Sequence, residues 1–144
     1  MPAVFRIDQL FGADVLAIRV NILDDGRGVE ILAEGVVRWP DIIEAHKQIY
    51  DERHLELQQY QIVDKSRCTE YDVTALDIEA IAEQDRKASI INPGIVIAVI
   101  ESRSLQFSLT ELWRAHLADC RFRTRSFRDR ESALVWITEN IEQP

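Results

Sequence analysis

Asp64, Ser66, Cys68 and Thr69 fall within six residues of one another, and Thr74 follows five positions later. A carboxylate, two hydroxyls and a thiol at this spacing could line a small site. They come after the apolar pattern Gln61-Ile62-Val63 and before a helix pattern that opens at Thr74. In open α/β sheets, functional groups gather at the carboxyl ends of strands. The free N–H groups of a helix start attract negative charge. The chemistry on offer is binding of an anion or small ligand between a strand and a helix. The competing reading is turn chemistry, in which Asp and Ser bond their own backbone. Thr74, with Asp77 three residues on, also matches a capping box, which gives its hydroxyl a structural use.

A nucleophilic Cys68 needs a lowered pKa and a base within reach. The three histidines, His46, His54 and His116, stand in separate segments with no pairing motif. Neither they nor Cys68 and Cys120 show metal-ligand spacing. No acid, base and nucleophile set is visible, so a non-enzymatic domain without cofactor or metal is expected. Arg121, Arg123 and Arg125 alternate, so a strand would place them on one face. That face could meet an anionic head group or an acidic partner. Equally, charge on an edge strand guards against aggregation, and arginine stems cover apolar surface.

The elements that must position these residues read clearly. The chain has 144 residues, the size of one domain. At 47% hydrophobic residues it can bury a core without disulfides or metals. The strand pattern over 15–22, the turn chemistry of Asp24-Asp25-Gly26-Arg27-Gly28 and the strand pattern over 29–37 predict a hairpin. Val4-Phe5-Arg6-Ile7 is a candidate for a further short strand. Trp39-Pro40-Asp41 opens a first helix in which Ile42, Ala45, Ile49 and Arg53 follow helical spacing. A strand over 60–64 follows, then a polar loop, then a second helix over 74–87 with Ile78, Ile81 and Ala82 facing inward.

Asn92-Pro93-Gly94 breaks the chain before the apolar run over 95–100, which suits a strand covered on both faces. A third helix over 105–118 presents Leu105, Leu109, Leu112, Trp113 and His116 on one face. A strand over 122–127 and a last helix capped by Asp129, with Ala133, Trp136, Ile137 and Ile141 inward, complete the chain. Helical spacing puts Trp113 and Trp136 in the core, while Trp39 stands at a helix start. The expected fold class is α/β, a mixed sheet in the order β-β-α-β-α-β-α-β-α and largely parallel after the hairpin. It forms a single domain with a core over 14–141 and an N-terminal extension over 1–13.

Charge and composition set limits on partners. A net charge of -8 disfavours nucleic acid, whose phosphates demand a basic surface. No apolar run approaches the roughly 20 residues that cross a bilayer. Met1-Pro2-Ala3-Val4-Phe5-Arg6 lacks the basic and apolar regions of a secretory signal, and two unpaired cysteines suit a reducing compartment. The expected location is the cytoplasm.

The order of elements resembles the STAS fold of anti-sigma-factor antagonists, and more closely the SpoIIAA-like proteins described as STAS/SEC14-like. The residues that carry it are Ile62-Val63-Asp64 at a strand end and Ile97-Ala98-Val99-Ile100 followed by Ser102-Arg103-Ser104-Leu105-Gln106-Phe107. The third stretch is Ser126-Phe127-Arg128-Asp129 leading to Ala133-Leu134-Val135-Trp136-Ile137. The resemblance implies a small cytoplasmic α/β domain, often dimeric, of no settled activity. Phosphoswitch antagonists carry Asp-Ser-Ser/Thr-Gly before the second helix and are phosphorylated on the first Ser. The matching segment here is Asp72-Val73-Thr74-Ala75. Val73 has no hydroxyl to phosphorylate and Ala75 replaces the glycine, which argues against ordinary partner switching. The expectation is a homodimeric interaction or regulatory module. The alternative, by analogy with the SEC14-like relatives, is a carrier of a small apolar or lipid-like ligand.

Overall fold

The structure is a computed structural model, and it describes residues 17–141. The candidate strand over 4–7, the start of the hairpin at Val15 and Leu16, and the side chain of Leu105 lie outside the described residues.

Strands β1 (Ile18–Leu23) and β2 (Gly28–Arg38) form the expected hairpin. Its turn bends through positive φ at Asp24 (50°), Asp25 (55°) and Gly26 (98°), a conformation that Asp and Gly tolerate best. Gly28 starts β2 under the ring of Tyr60, where a Cβ would lie 2.2 Å from the ring carbon Cζ. The Tyr60 hydroxyl donates to Asp24 Oδ2 at 2.5 Å and ties the turn to the next strand. Burial and this carboxylate push the Tyr60 phenol up to about 12.

Helix α1 (Trp39–Ile49) follows directly, with Asp41 accepting from the Arg38 N–H at 2.9 Å. Arg53 does not continue this helix. Tyr50 ends it, and Asp51 caps a separate single turn, α2 (Glu52–Leu55), by accepting from the N–H groups of Arg53 and His54. Asp and Ser-type caps satisfy donors that the first turn leaves free.

Strand β3 runs Tyr60–Asp72, eight residues beyond the expected end at Asp64. The expected polar loop is therefore strand. Its partner explains the extension. Strand β2 is equally long, and the two stay paired in parallel from Gly28↔Tyr60 to Arg38↔Asp72. The register slips between Leu32 and Glu34 and between Gly35 and Val36, with Gly35 at a φ of 68°. Strand β4 (Val96–Ile100) stops at Asp64↔Ile100, so the far half of β3 has a neighbour on one side only. Solvent there accepts Ser66, Arg67, Thr69 and Glu70, which remain exposed.

Helix α3 (Ala75–Ile91), strand β4, helix α4 (Ser104–His116), strand β5 (Arg123–Phe127) and helix α5 (Arg130–Asn140) complete the order. Thr74 caps α3 in a capping box with Asp77, and Asp129 caps α5 by accepting from the Ser132 N–H at 2.8 Å. The sheet order is β1-β2-β3-β4-β5, antiparallel in the hairpin and parallel thereafter, as the element order implies. All five residues of β4 are buried.

The two sheet faces are covered unequally. Ile62, Val96, Ala98 and Ile100 pack against Ala133 and Ile137 of α5. The opposite face packs against α1, α3 and α4 through Ile42, Ile78, Ile81, Leu109, Leu112 and Trp113. The expected inward faces of α1 and α3 are thus in place. Among the described residues, no helix is long and apolar enough to cross a membrane.

Candidate functional site

The five residues Asp64, Ser66, Cys68, Thr69 and Thr74 do not converge. Asp64 and Ser66 project to the α5 side of the sheet. Asp64 Oδ1 accepts from the Ser66 N–H at 2.9 Å and from its hydroxyl at 2.6 Å. Its Oδ2 accepts from Arg130 at 3.2 Å, and Arg130 also pairs with Glu30. Arg19 and Arg67 reach Glu34 across the same cleft. The cleft exists because α5 covers β3 to β5 and leaves the hairpin open on that side. Every charge just named has an opposite partner, which is how a solvated ion-pair network behaves.

Cys68 points the other way and is buried with Ala33, Ile78 and Ile81. Burial pushes its thiol up, and the Glu70 carbonyl accepts its S–H at 3.3 Å. A protonated buried thiol is a poor nucleophile. Thr69 is exposed, and its carbonyl accepts from Arg103 at 3.0 Å. The Thr74 hydroxyl accepts from the Asp77 N–H at 3.1 Å.

Arg123 and Arg125 are exposed on β5, which is an edge strand; Arg121 precedes it. Arg123 donates to the Asn140 carbonyl at 2.5 Å, so it closes the last turn of α5. The guanidinium of Arg125 lies 5.6 Å from the Phe127 ring centroid. On β1, the face opposite Ile18 and Val20 carries Arg19 and Asn21, which bond Glu34 and Glu30. That face of β1 is therefore polar.

An apolar cavity lies on the other side of the sheet. A cavity of about 70 Å³ separates β2, β3 and β4 from α1, α3 and α4. Its walls include Ile31, Ala33, Ile42, Val63, Ile78, Ile81, Ile97 and Val99. Polar groups stand at two of its corners. At one, Asp85 is buried and accepts from the Tyr50 hydroxyl at 2.5 Å and from Trp113 Nε1 at 2.8 Å. His46 Nε2 lies 3.9 Å from Asp85 Oδ1, and its Nδ1 is 2.5 Å from Gln84 Oε1. Burial, with Asp85 adding to it, holds the Tyr50 phenol well above its ordinary value. At the other corner is Lys65, whose Nζ sits 4.2 Å from the Tyr71 ring centroid. Lys65 is the sole buried basic side chain among the described residues. It donates to Thr110 Oγ1 at 3.3 Å, and Thr110 donates to Glu101 Oε2 at 2.7 Å. Burial lowers the Lys65 pKa against the opposing pull of Glu101.

Sequence spacing carried part of this signal. Asp85 falls four residues after Ile81 and three after Ala82, on the inward stripe of α3. Gln61, Val63 and Lys65 alternate onto one face of β3. A charged residue on an apolar stripe is the informative exception in such patterns.

An apolar enclosure with a few polar anchors is the usual make-up of a small-ligand site. Among the described residues, no group of three or more His, Cys, Asp or Glu side chains is placed to hold a metal ion. No family model matches the chain, and no curated protein matches it. A solved structure does. It is an uncharacterized protein from the DUF3478 family of Shewanella loihica PV-4, described as having a SpoIIAA-like fold. The match has a TM-score of 0.51 at 19% identity and covers 84% of this chain and 92% of that one. The fold is therefore SpoIIAA-like, a mixed five-stranded α/β sheet with helices.

Proposed function

We propose that this SpoIIAA-like domain binds a small amphipathic ligand in the cavity between its sheet and helices α1, α3 and α4. The observation that carries the reading is the pairing of apolar walls with two polar corners, Asp85 and Lys65, in one cavity. A packed core has few voids larger than a water molecule. Where a void is lined by buried polar side chains such as Lys65 and Asp85, an occupant with a polar group gains more than a hydrocarbon does. At about 70 Å³ the space is about half that of an engineered cavity of about 150 Å³ that accepts benzene. The ligand, or the part of it held inside, is correspondingly small. This is nearer the carrier alternative than the interaction module, with a small amphipathic ligand in place of an apolar or lipid-like one.

Ala45 lines the cavity and is buried, so Ala45→Leu should fill it. Overpacking of this kind costs about 1–3 kcal/mol, which a stable domain survives. Native mass spectrometry of protein from its own host should show a small molecule on the wild type and none on the variant. A bare wild type that takes up none of a panel of short alcohols contradicts the reading.

A second reading, a protein-interaction or regulatory module, draws support from β5. It is an edge strand with Arg123 and Arg125 exposed. An acidic segment of a partner, or of a second copy, fits such an edge through main-chain pairing and charge.

A further inference from the structure

We propose that Lys65 is a nucleophilic amine in the cavity wall and captures a small aldehyde there as an imine. The inference rests on the cavity being a ligand site. It starts from the linkage Lys65–Thr110–Glu101. Lys65 is 7% exposed, Thr110 1% and Glu101 0%. An ammonium and a carboxylate this deep are costly unless tightly paired. Here the hydrogen bond of Lys65 runs to a hydroxyl, and at 3.3 Å it is long for an N–H donor. Thr110 then bonds Glu101 at 2.7 Å, while Glu101 Oε1 has no partner among the described residues. Among the described residues no carboxylate stands within ion-pair distance of the Lys65 amine, which hydrogen-bonds a hydroxyl instead. Burial lowers the Lys65 pKa, toward the neutral amine, against the pull of Glu101.

A neutral lysine in an apolar pocket is an activated nucleophile toward carbonyl compounds. Its nitrogen lone pair forms a C–N bond to the aldehyde carbon as the carbonyl π pair moves onto oxygen. The oxygen then leaves as water, carrying the two hydrogens of the amine, and the C=N bond forms. The sum is one aldehyde and one amine giving one imine and one water, with no oxidant or reductant. The Thr110 hydroxyl, bonded to Lys65 on one side and to Glu101 on the other, is placed to relay protons during the transfers. The small volume of the cavity restricts the aldehyde to about three or four carbons, by comparison with the cavity that takes benzene.

The chain has three lysines, Lys47, Lys65 and Lys87, which makes the test clean. Wild-type protein is incubated with propanal and cyanoborohydride at about pH 6.5, where an ordinary lysine is neutral at only about one part in ten thousand. Peptide mapping by mass spectrometry then reads propylation at each lysine, with the terminal amine scored separately. Lys65 should react at least about tenfold faster than exposed Lys47 and Lys87, and Lys65→Met should abolish that fast phase. Equal or slower labelling of Lys65 overturns the proposal, and this readout needs no variant to fold. Binding of propan-1-ol, an unreactive molecule of the same size, is measured on the same protein. If the alcohol binds and Lys65 stays unlabelled, the amine chemistry is wrong and the cavity reading stands. If the alcohol does not bind and Lys65 stays unlabelled, both fall.

Discussion

Ile97→Asp abolishes cooperative folding. Ile97 is 1% exposed in β4, between Gln61 of β3 and Thr124 of β5. Its neighbours are Leu55, Ala88, Ile95, Val99 and Phe122, none of which offers a cation. An unpaired buried carboxylate costs several kcal/mol or more, comparable with the roughly 5–15 kcal/mol that stabilises a whole domain. The variant should partition to the insoluble fraction, or show no cooperative thermal transition by circular dichroism. A soluble variant with a wild-type melt contradicts the placement of β4.

Asp85→Ala lowers stability by about 2–6 kcal/mol in urea unfolding, because it leaves two donors unpaired at about 1–3 kcal/mol each. The carboxylate serves two donors at once, the Tyr50 hydroxyl and Trp113 Nε1. These come from α1's end and from α4, so Asp85 on α3 joins three helices. Each buried donor left without a partner costs about 1–3 kcal/mol. Asp85→Asn keeps one acceptor oxygen and should fall between the alanine variant and the wild type. An alanine variant within about 1 kcal/mol of wild type shows that water replaces the carboxylate freely, which denies the corner its buried character.

The same two residues show how far the sequence can be read. Ile97 sits in an unbroken apolar run, and a run of that kind has one stable place in an α/β domain, between two covered faces. Helix faces such as Ile78, Ile81 and Ala82 were legible because their spacing follows the 3.6-residue period. The extension of β3 was not, because its register slips past Gly35 and breaks the two-residue alternation that marks a strand. The residues from Ser66 to Asp72 then looked like a loop. That in turn placed a strand end at Asp64, and with it the proposed site of Asp64, Ser66, Cys68, Thr69 and Thr74. The cavity residues come from separate elements, and their meeting depends on how α1, α3 and α4 sit on the sheet. Asp85 and Lys65 could be picked out as misfits in their patterns, but nothing local to either said that they would face one enclosure. Glu101 and Thr110 are nine residues apart on a strand end and a helix, and their bond to each other is a consequence of that packing alone.

The claim at the centre of this account is that the enclosure between sheet and helices accepts a ligand. Methyl-resolved NMR during a titration with propan-1-ol tests it most directly. Saturable shifts are expected at Ile31, Ile42, Ile78, Ile97 and Val99, whose side chains line the cavity. Methyls packed on the α5 side, such as Ile62, Ile100 and Ile137, should stay still. Shifts spread evenly over both faces of the sheet, or none that saturate, contradict a ligand site in this domain.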